Sequence, residues 1–443
     1  MMKQYQVRRM KKGQSFCVRV PGSKSITNRA LLLAAQSVGV CTLKGVLFSA
    51  DSRTFLNCLQ NLGFELTIRE AQQEVTIIGT GGKIPNSTAS IYVGSAGTAA
   101  RFLTVFLAAA GGDYIVDASA QMRKRPMEPL IAALRKAGVE ICCLEEEGHF
   151  PFQLHSAGIQ VSEMTIDTTV SSQFASALMM SAALMKQGLT IHLTGGRVTG
   201  SYILMTLHMM HQFGIPVDLK EGVCKIPGGC HSTLEQYQIE PDVSAAGYFF
   251  AMAPLLQSCV LVQDVHLDSM QGDIRFLDIC RQLGCRITDT SQGVQVDGRG
   301  VTEYHGIEVN MKDFSDQTLT LAAIAPFAQG ETKITGIGHI RKQESDRLAV
   351  ILTELQRMGI DCEEIPEEEG ICIHGGTVQP SVVETYEDHR VAMAFALTGL
   401  RAGGITIDNP DCCAKTFEEY FRVLDELIDR IGEETDEAGE WTV

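Results

Sequence analysis

Cations recur in this chain where helical stretches begin. Pro21-Gly22-Ser23-Lys24-Ser25-Ile26-Thr27-Asn28-Arg29 sets a Gly/Ser turn, a lysine and a hydroxyl before a helical run, with Arg29 one turn inside it. Gly94-Ser95-Ala96-Gly97-Thr98 repeats the arrangement, and Gly97 would let a ligand approach the backbone. Arg123-Lys124-Arg125-Pro126 groups three cations ahead of a helix that proline would start, and Ser171-Ser172-Gln173 offers two hydroxyls and an amide at another helix start. Further on, Asp316 opens a helix, Gln343-Glu344-Ser345-Asp346-Arg347 mixes carboxylates with cations, Arg390 follows Asp388-His389 at a helix start, and Lys415 precedes the last helix. A helix N-terminus carries unpaired N–H groups and the positive end of the dipole, so a cation there costs a few tenths to about 1 kcal/mol. An anion would offset that cost, which points to capture of a small, multiply anionic ligand. Each segment also has a plainer explanation, since Ser and Asp are preferred caps and exposed Lys and Arg are usually solvated.

Other chemistries lack their residues. The P-loop spacing is absent, as are G-x-G-x-x-G, G-x-S-x-G and H-E-x-x-H. His208 and His211 lie among Met205, Leu207, Met209 and Met210, which favours structural histidines over a metal site. The 14 cysteines are scattered, include the neighbours Cys142-Cys143 and Cys412-Cys413, and read as reduced thiols. Against 53 Asp and Glu stand 37 Lys and Arg, a net charge of −16 that disfavours nucleic acid and anionic lipid as partners. No apolar segment follows the basic N-terminus, so export is not expected and the cytoplasm is. The uncharged run from Ala245 to Val262 contains Pro254, and a buried helix followed by a strand explains it better than a membrane span.

The elements that must position these residues come in repeats. A small or polar cluster opens an Ala/Leu/Met-rich stretch at Ser23, Ser95, Ser171, Ser244, Ser315 and Asp388, at steps of 71 to 76 residues. In parallel, a helical pattern closes on Gly63, Gly138, Gly214, Gly284, Gly359 and Gly432, each ahead of a strand-like segment. Six units of two helices with interleaved strands suggest two groups of three, divided near Glu240-Pro241. In a chain of 443 residues, two or more cores are expected. The N-terminal strand could join either half, and residues 433–443 read as a solvated acidic tail.

The ordered set P-G-S-K-S-x-x-N-R, A-G-T-x-x-R, R-P, S-S-Q, D-x-S, E-S-D-R, D-H-R and A-K-T-F, from Pro21 to Phe417, closely resembles the 5-enolpyruvylshikimate-3-phosphate synthase family. The resemblance implies an α/β (α+β) fold of two similar domains, each of three βαβαββ units, with the active site in the cleft between them. Residues 21–240 would form one domain, the shikimate 3-phosphate side, and residues 1–20 with 241–432 the other. It implies transfer of the enolpyruvyl group of phosphoenolpyruvate to the 5-hydroxyl of shikimate 3-phosphate by addition and elimination, with no metal or other cofactor, in a monomer. Carried over by motif, Lys24, Arg125, Arg347, Arg390 and Lys415 would bind phosphoenolpyruvate, with the backbone near Gly97. Ser25, Arg29, Ser171, Ser172, Thr199, Tyr202 and Gln343 would hold shikimate 3-phosphate, and Gln173 would lie between the ligands. Asp316 would be the base for the 5-hydroxyl, and Glu344 or Lys24 the acid toward the methylene carbon.

Three departures from the common family pattern stand out. Gln343 stands where many relatives have Lys, with Lys342 one residue earlier; Ser95 stands for Asn; and Phe102 and Gly200-Ser201 replace Pro-bearing versions, leaving cleft shape and glyphosate sensitivity open. Two rivals share the receptor chemistry: an enolpyruvyl transferase acting on a UDP-amino sugar, and a phosphometabolite-binding protein without turnover. The S-S-Q and P-G-S-K-S segments favour shikimate phosphate over the first, and only Gln343 supports the second.

Overall fold

A computed structural model describes residues 4–169, 171–196 and 200–432. The chain forms two compact units, one of residues 22–240 and one in which the segment up to Pro21 joins the segment from Pro241 onward. One sheet shows the plan that five of the six share. Thr88–Tyr92 pairs in parallel with Gly112–Asp117, as a strand–helix–strand crossover through helix Gly97–Ala110 requires. Gly112–Asp117 then pairs antiparallel with Phe152–Ser156, which pairs antiparallel with Glu140–Cys143. Phe152, Leu154 and Ser156 are buried while Gln153 and His155 are exposed, so one face is core and the other faces outward.

The same order recurs with Glu163–Asp167, Leu189–Thr194, Val223–Ile226 and Asp218–Lys220, and with Glu308–Asn310, Glu331–Thr335, Gly370–His374 and Cys362–Ile365. Elsewhere the parallel strand comes from far away in sequence. Gln236–Gln238 completes the sheet of Val38–Lys44, Glu74–Thr80 and Leu66–Arg69, and the N-terminal Ser15–Val18 completes that of Cys259–Gln263, Gly293–Asp297 and Arg286–Thr290. The last sheet joins Ser381–Val383 to Ile405–Asp408 in parallel and adds Gln4–Gln6 antiparallel at its edge.

The six glycines of the repeat all take positive φ, from 74° to 102°, a conformation that an L side chain strains, so each ends its helix, and the first five turn the chain toward a strand. The serine markers are less uniform. Ser23 and Ser171 cap their helices and Asp388 caps His389–Ala402, but Ala96 precedes Gly97–Ala110 without a side-chain cap, and Asp242 rather than Ser244 caps Val243–Leu255. Ser244 is instead a donor to Asp273. Pro126 does not begin a helix either: Arg125 N–H closes the preceding short helix on the Met122 carbonyl, and the next helix, Glu128–Lys136, has its proline in the first turn.

Helix Val243–Leu255 is buried along nearly its whole length and is followed by strand Cys259–Gln263, so the apolar run is a core element. Among the described residues no helix is long and apolar enough to cross a membrane. All 14 cysteines are free thiols. His211 Nε2 lies 2.9 Å from the Val217 carbonyl, a structural contact, and no group of three His, Cys, Asp or Glu among the described residues is placed to hold a metal ion.

Candidate functional site

Within residues 22–240 the starts of helices Lys24–Gln36, Gly97–Ala110, Ser172–Ala182 and Ser201–Gln212 are tied by polar bonds. Asn28 Nδ2 donates to Thr98 Oγ1 at 2.6 Å, and Arg101 Nη1 donates to Gln173 Oε1 and to the Gly97 carbonyl, both at 3.1 Å. Ser171 Oγ accepts the Gln173 N–H at 3.2 Å, which leaves Ser172 buried and Gln173 half-buried beside Arg101. Lys24 Nζ lies 3.9 Å from Asp51 Oδ2, and Ser25 and Tyr202 are half-buried.

Gly97 lets two guanidinium groups lie over its helix start, because a Cβ there would sit 2.5 Å from Arg101 Nη1 and 2.9 Å from Arg125 Nη1. Arg125 has no carboxylate partner among the described residues, and its Nε is buried without a hydrogen bond. Buried donors left in this way favour an anionic ligand. The other members of the basic triplet behave as surface groups: Arg123 pairs with Asp117 at 2.8 Å and Glu145 at 2.6 Å, and Lys124 is exposed.

Arg29 is met by protein partners on every side. It is fully buried, with Nε on Thr206 Oγ1 at 2.8 Å, Nη1 on the Ser25 carbonyl at 3.0 Å, and Nη2 on Ser176 Oγ at 3.2 Å and the Tyr202 carbonyl at 3.3 Å. Its guanidinium lies 5.2 Å from the Phe102 ring centroid and 5.9 Å from that of Tyr202. Burial pushes its pKa down to about 10, so it stays charged at neutral pH and braces the backbone behind Ser25 and Tyr202. Thr199 lies outside the described residues.

The second unit assembles Asp316, Gln343, Glu344, Arg347, Arg390 and Lys415 around one guanidinium. Arg347 is 2% exposed at its side chain and donates to Asp388 at 2.8 Å, to Glu344 Oε2 at 2.9 Å and to Asp316 Oδ1 at 3.0 Å, and also to Gln343 Oε1. Burial works against its charge, and Asp388, Glu344 and Asp316 more than offset that, so its pKa lies above the ordinary arginine range. Arg390 Nη2 donates to Asp316 Oδ2 at 2.9 Å, and Lys415 Nζ is 3.6 Å from Glu344 Oε1. The remaining two residues of the E-S-D-R motif hold the cluster in place. Ser345 Oγ donates to Asp388 at 3.0 Å, while Asp346 caps helix Arg347–Arg357 through the Ala349 N–H.

Asp316 is no helix cap. It sits in a short turn, Ser315–Gln317, and its carboxylate takes guanidinium donors from Arg347 and Arg390. The cations at these helix starts are met by protein carboxylates, in addition to any ligand. Asp316 and Glu344 each keep 14% of their side-chain surface accessible, whereas Asp388 has none, so the first two are the carboxylates a substrate could reach. Lys342 is exposed and does not stand in for Gln343. Sequence reasoning passed over Asp51, Arg101 and Asp388. The last two lie inside quoted motifs, and their partners Gln173 and Arg347 are 72 and 41 residues away.

Comparison with known proteins gives the family. The family profile described as EPSP synthase (3-phosphoshikimate 1-carboxyvinyltransferase) matches residues 10–424. The chain is 39% identical over 414 residues to a protein of Nostoc punctiforme named 3-phosphoshikimate 1-carboxyvinyltransferase, covering 93% of this chain and 96% of that one. A Yersinia pestis protein of the same name is 38% identical over 407 residues, covering 91% and 94%. The solved EPSP synthase of Acinetobacter baumannii superposes with a TM-score of 0.80 at 26% identity, covering 97% of this chain and 98% of that one. With its repeated sheets, its motifs in order and a match along nearly its whole length, the chain belongs to the EPSP synthase family.

Proposed function

We infer that this protein transfers the enolpyruvyl group of phosphoenolpyruvate to the 5-hydroxyl of shikimate 3-phosphate, releasing phosphate, in the shikimate pathway toward aromatic amino acids. Family membership over nearly the whole chain gives the reaction class. The observation that carries the reading at the residue level is the Arg347 cluster, which sets two accessible carboxylates, Asp316 and Glu344, beside the cations Arg390 and Lys415. In this reading Asp316 removes the proton of the 5-hydroxyl as its oxygen attacks C2 of phosphoenolpyruvate. Glu344 or Lys24 delivers a proton to C3, giving a tetrahedral adduct. Loss of a C3 proton and of phosphate then restores the double bond.

Lys24, Arg125, Arg347, Arg390 and Lys415 neutralise phosphoenolpyruvate, with Gly97 admitting it close to the backbone. Ser25, Ser171, Ser172, Thr199, Tyr202 and Gln343 hold shikimate 3-phosphate, Gln173 lies between the ligands, and Arg29 acts from behind by fixing Ser25 and Tyr202. Each set draws residues from both units, so the reading requires both units to act on one pair of substrates. Holding them in attack geometry lowers the barrier by several kcal/mol, of order seven or more in favourable systems. The enzyme works as a cytoplasmic monomer without metal.

A phosphate-release assay tests the reading. Release is expected only with both shikimate 3-phosphate and phosphoenolpyruvate present. Release with a UDP-amino sugar as acceptor, or ligand-induced stabilisation without release, would replace it by one of the rivals.

A further inference from the structure

Asp273 is a carboxyl that the scheme above leaves unused. It stands in the turn Gly272–Arg275, is 7% exposed, and accepts a hydrogen bond from Ser244 Oγ. Three other elements bring charge to it: Asp242 before helix Val243–Leu255, Asp316 from the turn Ser315–Gln317, and Arg390 from helix His389–Ala402. On its own turn, Arg275 pairs with Asp313 at 3.1 Å. Ser244 joins the two carboxylates' turns. Its hydroxyl holds Asp273, and its carbonyl accepts Gln317 Nε2 at 3.0 Å, one residue after Asp316. Gly247 keeps that amide in place, since a Cβ there would come within 2.1 Å of Gln317 Oε1.

Two guanidinium groups donate to Asp316, from Arg347 and Arg390. Such contacts favour the ionised form of a carboxylate, which makes it a reluctant proton acceptor. A second negative charge beside Arg390 would relieve this. We propose that Asp273 is a positioning residue for proton transfer, sharing the field of Arg390 with Asp316 so that Asp316 accepts the proton of the acceptor hydroxyl. The proposal rests on the reading of Asp316 as the base. Burial, and next the charge of Asp316, push the Asp273 carboxyl up to about 7, against the pull of Arg390 and Ser244. It therefore ionises within the working range: above that pH its charge supports Asp316, and below it the support is lost.

The test compares initial rates with both substrates from about pH 5.5 to about pH 8.5 for the unaltered enzyme, Asp273→Asn and Ser244→Ala. The unaltered enzyme is expected to exceed Asp273→Asn by at least about tenfold at the alkaline end, with the ratio falling steadily toward the acid end. Ser244→Ala loses a donor that favours the ionised carboxyl, so its rate should rise at higher pH than that of the unaltered enzyme. A ratio constant across pH, which a merely structural role gives, overturns the proposal. Should Asp273→Asn fail to fold, a Ser244→Ala profile superposing on that of the unaltered enzyme overturns it. Normal turnover in Asp316→Ala would remove the base assignment itself, whereas an inactive Asp316→Ala with a constant Asp273→Asn ratio removes only the role of Asp273.

Discussion

Arg347 touches three carboxylates with one guanidinium, an arrangement a lysine ammonium cannot copy because it lacks the planar fork. Removing it would leave Asp316, Glu344 and Asp388 crowded without their shared cation, and breaking such a buried pairing costs about 3–5 kcal/mol. Arg347→Met is therefore expected to lose at least about a hundredfold in turnover and to melt several degrees lower at neutral pH. Phosphate release and a thermal melt at neutral pH check the two effects. Asp316→Ala, Glu344→Ala and Lys24→Met should each cost at least about a hundredfold in turnover with folding intact, measured by phosphate release beside circular dichroism. Near-normal rates in all three would remove the proposed roles. The residues of this cluster were legible in sequence because they sit in short motifs. Their pairing was not, since Arg347 meets Asp316 across 31 residues and Arg390 meets it across 74.

At the level of elements, helix starts carry the chemistry, and small residues set how closely charge approaches them. A methyl at Gly97 would displace the Arg101 and Arg125 guanidinium groups, so Gly97→Ala should raise the KM for phosphoenolpyruvate at least about fivefold while changing the melting temperature little. An unchanged KM would mean that these arginines do not reach the substrate. Helix ends were readable because Gly at a positive φ is a local requirement. Caps were read less well. Ser244 lost its capping place to Asp242, two residues earlier, and was drawn to Asp273 by a contact of 29 residues' separation that no local pattern encodes.

For the molecule as a whole, a net charge of −16 surrounds cationic binding groups, so anionic substrates are repelled at distance and held only near the site. Added salt screens both effects, and KM for each substrate should rise severalfold between low and high ionic strength because the short-range pairings dominate; a falling KM would assign control to the acidic exterior. Small-angle scattering should register compaction when both substrates bind, and an unchanged radius of gyration would count against joint action of the two units. The repeat was visible from spacing alone, but the partners of the first strands were not, because Gln4–Gln6 pairs with Ile405–Asp408 some 400 residues later. That topology has a consequence for biosynthesis. Ser15–Val18 is synthesised long before its sheet neighbour Cys259–Gln263, and Gln4–Gln6 longer still before Ile405–Asp408. The half from Gly22 to Glu240 holds all its own strands and can fold during synthesis, while the two earlier strands wait with unpaired edges, a natural site for chaperone capture or mispairing.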